Sequence, residues 1–413
     1  MARLLVLFVT AFVDMVGLAM IVPLLPYYAT EFGASALVVG LLISAFSVAQ
    51  LACAPAWGRV SDRYGRRPAI LAGLAITAGA YVLFAFAGSV PLLLVARLVQ
   101  GIGGGTIGVV QAYVADISSP AERVKSLGWL TAVTSLGAVA GPAIGSALDT
   151  LGGPQAVGLG AAALAVCVGG FALRYLRESR DPAARASGTH VPMTGRAAIR
   201  HVLANGGAPA SRLIWIYTIA IGAFYGTIQT SPLLLSARLG VTEHTIGYFV
   251  MYLGAIGVVV RTIVLGRLVD ALGETAVARV GVAALAAGLA LTGVAQTFAV
   301  VMVGFTLMPI GTGLLFPCVT GMLSQAVRSG ERGLYMGVQH TFGGVSRVAF
   351  PIGAGFLMDR FGVGVPFWLS ALLVLGTLPL ARALTGGTHD TPIPERAQRG
   401  SHPEVAGDLP AET

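Results

Sequence analysis

The sequence predicts an all-α membrane protein of twelve transmembrane helices, arranged as two parallel six-helix repeats. Three observations carry this. The chain is 55% apolar and only 11% charged, with a mean hydropathy of +0.81, whereas soluble domains hold about 25% charged residues. Two 48-residue stretches are almost free of charge: 68–115 contains only Arg97, and 280–327 contains none. Finally, a set of short motifs returns after about half of the 413 residues.

The spans follow in order from the charge-poor stretches. One helix covering 48 residues would reach about 72 Å against a hydrocarbon core of about 30 Å. Each stretch therefore folds back once, at Gly88-Ser89 and at Gln296-Thr297. The rest of the chain, treated alike, predicts spans at 4–27, 36–57, 69–88, 90–114, 126–148, 154–175, 212–237, 244–265, 276–296, 298–325, 333–358 and 363–385. All are helical, because backbone in lipid must satisfy its own hydrogen bonds. The first resembles a signal peptide, but Asp14 interrupts it and further spans follow, so it is expected to stay uncleaved. Cys53, Cys167 and Cys318 lie in apolar runs without metal-ligand spacing, so no disulfide, metal or cofactor is expected.

Charge orients the spans. Of the 26 basic residues, 21 fall in segments on one side and only Arg238 and Arg360 on the other, with Arg97, Arg261 and Arg347 inside spans. That asymmetry is the positive-inside pattern of a plasma (inner) membrane protein with both termini cytoplasmic. The net charge of +8 is scattered between apolar runs, which fits lipid topology and argues against a nucleic-acid partner.

The repeat is explicit. Glu122-Arg123 with Gly128 returns as Glu331-Arg332 with Gly337, and Pro142 returns as Pro351, both at an offset of 209. Gly101-x-Gly103 returns as Gly311-x-Gly313, and Gly58-x3-Asp62-x2-Gly65 returns as Gly266-x3-Asp270-x2-Gly273. Same-orientation halves imply an axis along the membrane normal and a midplane site between them. The expected domains are a first bundle at 1–176, a linker at 177–211, a second bundle at 212–385 and a disordered tail at 386–413.

With these motifs assembled, the chain resembles the major facilitator superfamily, specifically its twelve-span drug:proton antiporters, which include the tetracycline exporters. Gly58-Arg59-Val60-Ser61-Asp62-Arg63-Tyr64-Gly65-Arg66-Arg67 matches the superfamily motif between spans 2 and 3. Arg97-x2-Gln100-Gly101 matches its span 4 motif, and Gly137-x3-Gly141-Pro142-x2-Gly145 matches the antiporter motif of span 5. Asp14 with Pro23 resembles the first-span motif of the drug exporters. The resemblance implies the major facilitator fold, a small-molecule substrate and proton exchange; a monomer is the default expectation, since no residue pattern speaks to oligomeric state. It also implies that the loop at Asp62 locks the halves together on the cytoplasmic side, and that the span 5 motif is an antiporter hinge.

The residues themselves suggest roles. Gly58 and Gly65 permit a tight turn, while Asp62 gains about 0.3–1 kcal/mol by facing helix N-termini. Asp270 keeps that carboxylate in the second copy, but Glu274 replaces the arginine pair of Arg66 and Arg67. Gly137, Gly141 and Gly145 share a helix face and invite close packing, with Pro142 adding a kink. Arg97 needs a partner at its depth, since a charge there costs about 3 kcal/mol. Asp14 is the expected partner, as the only acidic residue deep inside any span. A carboxylate between apolar surroundings and an arginine can exchange protons with either side, or it can form a static ion pair. Gln100 and Gln111 share the Arg97 face of span 4. Tyr225, Gln229 and Tyr252 are candidate cavity residues, while His340 and Arg347 share a face of span 11 and meet either backbone or substrate.

No phosphate-binding loop precedes the single lysine, Lys125, so a gradient rather than ATP is the expected energy source. No hydrolytic constellation suggests an enzyme. The tetracycline exporters carry further acids in spans 3 and 9, whereas 69–88 and 276–296 have none. A lipophilic drug or metabolite is therefore the expected cargo. Proton-coupled movement of a sugar or other metabolite is the alternative, and a non-transporting sensor or scaffold a third.

Overall fold

A computed structural model describes residues 2–119, 122–178, 195–327 and 331–382. The expected tail 386–413, and residues 179–194 of the expected linker, lie outside the described residues. Every element among the described residues is helical, and no strand occurs. The first half comprises α1 (Ala2–Ile21), α2 (Leu25–Glu31), α3 (Ala36–Tyr64), α4 (Arg66–Ala85), α5 (Val90–Gly104), α6 (Ile107–Ile117) and α7 (Arg123–Tyr175). After α8 (Gly195–Ala204), the second half comprises α9 (Pro209–Leu239), α10 (Glu243–Val259), a π-helical turn (Val260–Val264), α11 (Leu265–Leu272) and α12 (Glu274–Val294). It ends with α13 (Phe298–Ala326), α14 (Arg332–Phe361), α15 (Val365–Leu375) and α16 (Leu378–Arg382).

Among the described residues nine helices are long and apolar enough to cross a membrane. One of them, Lys125–Tyr175, has 51 residues, and Gly152 and Gly153 leave helical geometry inside it. The expected spans 126–148 and 154–175 are thus two helices joined directly at the Gly152-Gly153 turn. The expected spans 333–358 and 363–385 fall on α14, which carries Arg347 and Asp359 within it, and on the short α15 with α16.

Two glycines make the matching turns of the repeat. Gly65 (φ 110°) separates α3 from α4, and Gly273 (φ 79°) separates α11 from α12, a conformation that strains any residue with a Cβ. Gly58 was expected to share that turn but lies inside α3, where its N–H and C=O belong to the helix ladder. Its counterpart Gly266 is likewise inside α11.

Among the described residues the halves pack together at the face opposite the 58–67 loop. There a Cβ on Gly40 of α3 would overlap the Pro351 carbonyl of α14, and one on Gly247 of α10 would overlap the Pro142 carbonyl of α7. Pro142 and Pro351 are repeat equivalents, so the same contact is made twice. Ser44 Oγ donates to the Val348 carbonyl at 2.7 Å, and Ser146 Oγ donates to the Glu243 carbonyl at 2.8 Å. At the loop face the same helices stand apart: a Cβ on Gly58, Gly128, Gly266 or Gly337 would meet nothing within 4 Å. The core agrees. One apolar cluster joins the far-face part of the first half (Met20, Leu42, Tyr81) to the second half (Ile214, Leu285, Phe305). A separate cluster around Leu7, Ile70 and Tyr113 fills the loop-face part of the first half alone.

The far-face contact has no room for a side chain. Gly247→Leu should insert normally but hold the halves apart at that face. A thiol at exposed Gln111, probed from the loop face, is then expected to lose most of its reactivity. Unchanged labelling would mean that the contact does not control opening.

Candidate functional site

The loop-face motif is an anchor within the first half. Arg66 is buried and bridges two carboxylates: its Nη1 lies 3.0 Å from Asp62 Oδ1, and its Nε lies 3.1 Å from Asp116 Oδ2 at the end of α6. The backbone N–H groups of Arg66 and Arg67 donate to Glu178 at 2.9 and 3.1 Å. Glu178 thereby satisfies the first donors of α4, which Gly65 cannot cap. Arg67 Nη2 donates to the Leu173 carbonyl at 2.6 Å, and Arg63 lies over the Tyr64 ring. Asp62 thus pairs with Arg66 one turn on, and these bonds all lie within the first half. Asp270 in the second copy is exposed and makes no ion pair among the described residues.

The span 5 motif packs α7 onto α1. A Cβ at Gly137 would come within 2.6 Å of the Phe12 carbonyl, and one at Gly141 within 2.7 Å of the Val16 carbonyl. Gly145 continues the seam against Met20. Close backbone contact of this kind is what small residues spaced by four allow. Pro142 looks the other way, toward Gly247 of the second half.

At mid-depth in the first half, Arg97 is 2% exposed. Its Nη1 donates to Gln100 Oε1 at 2.6 Å, its Nε reaches the Leu42 carbonyl at 3.4 Å, and its guanidinium lies 4.9 Å from the Phe46 ring centroid. The expected Asp14–Arg97 ion pair is therefore absent. Arg97 is held instead by neutral acceptors and a ring face; spacing on α5 places Gln100 beside it but does not reveal Leu42 and Phe46 of α3. Gln100, expected to line the cavity, is buried as the partner of Arg97. Asp14 is half-buried and makes no hydrogen bond or ion pair among the described residues. Between them sits Tyr81 of α4, whose buried hydroxyl lies in the field of Asp14, Gln100 and Arg97. The Tyr81 hydroxyl and Gln100 Nε2 are buried without a complete hydrogen bond. A hydroxyl can donate to a carboxylate or accept from a carboxylic acid, so this setting suits both protonation states of Asp14.

In the second half, Arg347 lies over the Tyr225 ring at 5.6 Å. Gln229 Nε2 donates to the Tyr225 carbonyl at 3.3 Å, and Tyr252 Oη lies 2.8 Å from Thr306 Oγ1. His340 and Gln111 are exposed.

Two far-face carboxylates escaped the sequence reading. Asp359 of α14 accepts from the Ala36 and Leu37 N–H groups at 2.9 Å each, capping α3 from the opposite half. It sits just past the apolar span. Burial alone would raise its carboxyl, but the Leu37 N–H, the Ser35 hydroxyl and the Ala36 N–H outweigh that and hold it below its ordinary value. Asp149 of α7 is buried, accepts from Tyr28 Oη, and meets His244 Nδ1 of α10 at 2.7 Å. Each carboxylate lies near the position its repeat equivalent occupies, a signal that extending the 209-residue offset to span ends would have exposed. Tyr81 had only one weak signal, a lone tyrosine in an alanine- and glycine-rich span.

A family model described as Major Facilitator Superfamily matches residues 7–291 and 213–410. The chain is 26% identical over 376 residues to the class B tetracycline resistance protein of Escherichia coli, covering 89% of this chain and 90% of that protein. It is 27% identical over 384 residues to multidrug resistance protein 1 of Bacillus subtilis (strain 168), covering 92% and 94%. Among solved structures, the human organic anion transporter MFSD10 (TETRAN) aligns with a TM-score of 0.68 at 24% identity, covering 92% of this chain and 99% of that one.

Because Asp359 is stabilised as a carboxylate only when the far face is closed, closure loses that contribution as pH on that face falls through the carboxylate range. Asp359→Asn should weaken closure at neutral pH by roughly 1 kcal/mol, the worth of a helix cap. Labelling of a thiol at half-buried Ile352 from the far face is expected to rise about fivefold. No rise would show that the cap does not hold the face shut.

Proposed function

We propose that this chain, which belongs to the Major Facilitator Superfamily and is a multi-pass membrane transporter rather than an enzyme, exports a small lipophilic drug or metabolite in exchange for protons. The observation that carries this is Asp14: an unpaired, half-buried carboxylate at mid-depth, beside a buried tyrosine and an arginine held by neutral acceptors. A fixed structural ion pair would occupy that carboxylate; a proton carrier needs it vacant. The curated relatives named for tetracycline and multidrug resistance support a drug-like cargo.

With the arginine-rich loop face taken as cytoplasmic, the described conformation is open to the cytoplasm and sealed outside, the state that loads cargo for export. The Asp62–Arg66–Asp116 cluster then belongs to the released state of the loop. Rocking about the midplane exchanges this state for one in which the loop engages the second half. Each proton returning down a 100 mV potential supplies about 2.3 kcal/mol. The protomer acts alone in this reading, since each half already supplies its own part of the site.

Asparagine at position 14 keeps the shape of aspartate but cannot ionise. In proteoliposomes with an imposed pH gradient, Asp14→Asn is expected to lose uphill dye export while retaining its melting temperature and downhill exchange. Wild-type uphill transport by this variant would remove Asp14 from the mechanism and leave His340 as the remaining candidate.

A further inference from the structure

The second half holds a charge that the chain does not balance. Arg347 lies at the middle of α14, which runs Arg332–Phe361. The acidic residues of 212–385 are Glu243, Asp270, Glu274, Glu331 and Asp359, and all sit at or near helix ends. Arg347 makes no ion pair among the described residues. Its contacts are a 3.3 Å bond from Nε to the Gly343 carbonyl of its own helix and the Tyr225 ring. An uncompensated arginine at this depth is costly, and neither contact supplies a counter-charge.

The side chain does not face lipid. Val345 and Phe356 are more than half exposed and mark the outer side of α14. By the 100° step of the helix, residues 340 and 347 lie opposite them, between the Gly344 contact with Leu51 of α3 and the Gly343 contact with Tyr217 of α9. The charge of Arg347 reaches both His340 and Tyr217, and that of Arg261 also reaches Tyr217. Nor does the fold require the cation, because its repeat equivalent in the first half is Ala138. Around it the surfaces are aromatic: Tyr217 packs against Phe316 at 5.3 Å, and Phe224 packs against Tyr225 at 5.6 Å.

We infer that Arg347, stacked on Tyr225, binds the anionic head of an amphipathic aromatic cargo, a carboxylate or sulfonate. The guanidinium fork fits two oxygens of such a group at once, and the flanking rings take the apolar body. Asp14 lies in the other half and does not compete for Arg347. The inference deepens the export reading by naming a cargo class, but the site exists or fails independently of the direction of transport.

Two dyes built on the same xanthene body test it: anionic fluorescein and cationic rhodamine 6G, bound to the purified full chain in detergent. Wild type should bind fluorescein at least about tenfold more tightly, the scale of one charge-assisted hydrogen-bonded pair. Arg347→Gln should lose at least about tenfold in fluorescein affinity, with Arg347→Lys recovering part of it. If Arg347→Gln does not fold, the wild-type preference decides alone. Equal affinity for the two dyes overturns the inference, as does unchanged fluorescein binding by a folded Arg347→Gln. Wild-type proteoliposomes that export rhodamine 6G under a pH gradient but prefer no anion would sink the anion site and leave the export reading standing. Arg347-dependent fluorescein binding without gradient-driven movement of either dye would support the site and remove the export reading.

Discussion

The doubled contact between a glycine and a proline carbonyl, Gly40 with Pro351 and Gly247 with Pro142, is the constraint on which the conformation depends. Each half presents a bare patch of its second helix to the kinked fifth helix of the other. Backbone meets backbone, so the closure is tight but made mostly of dispersion contacts, each worth only ~0.1–0.2 kcal/mol. Directional bonds are few: the Ser44 and Ser146 hydroxyls, the Gly247 N–H donating to Ser146 Oγ, the Tyr27 hydroxyl donating to the Val241 carbonyl, the Asp359 cap and the Asp149–His244 pair. Bonds of this kind contribute about 1 kcal/mol each on balance. A closure held by a handful of them differs from its open alternative by a few kcal/mol, the same scale as the roughly 2.3 kcal/mol that one charge gains across 100 mV.

Packing obeys the repeat, whereas chemistry departs from it. The turns at Gly65 and Gly273, the prolines and the far-face carboxylates occur in pairs. The mid-depth charges do not. Positions matching Asp14 and Arg97 in the second half hold Ala223 and Leu307, and the position matching Arg347 in the first half holds Ala138. Symmetry serves the rocking of two similar bodies about a common axis. The unpaired groups break it where a proton and a cargo would have to be told apart, with the carboxylate in one half and the guanidinium in the other.

Much of this was legible in the chain because hydropathy and charge act along the sequence. The runs 68–115 and 280–327 required helical hairpins, and an offset near 209 residues required two similar halves. The glycine spacing of Gly137, Gly141 and Gly145 announced a tight helix contact, although not that α1 supplies the other side. What stayed hidden was pairing between helices. Helical spacing fixes the face on which a residue lies, not its neighbour. Arg97 therefore pointed to Asp14 as the only deep acid, whereas the other helix it meets is α3, through the Leu42 carbonyl and the Phe46 ring; its bond to Gln100, three residues on, was within local reach. Glu178 caps α4 from 112 positions away in the chain, a distance at which no local pattern speaks. Gly58 misled for the opposite reason: its composition suggested a turn, yet the helix runs through it and Gly65 alone turns the chain.

Paired spin labels at exposed positions report the rocking directly: Phe32 with Phe361 across the far face, and Tyr64 with Leu272 across the loop face. Pulsed distance measurements in lipid nanodiscs, over a range of pH and with a transported dye, should give two populations on each face. The expected result is reciprocal: wherever the far-face distance lengthens, the loop-face distance shortens in the same proportion of molecules. Far-face and loop-face distances that change independently, or a single fixed distance on both faces, would contradict the exchange of two closures between similar halves.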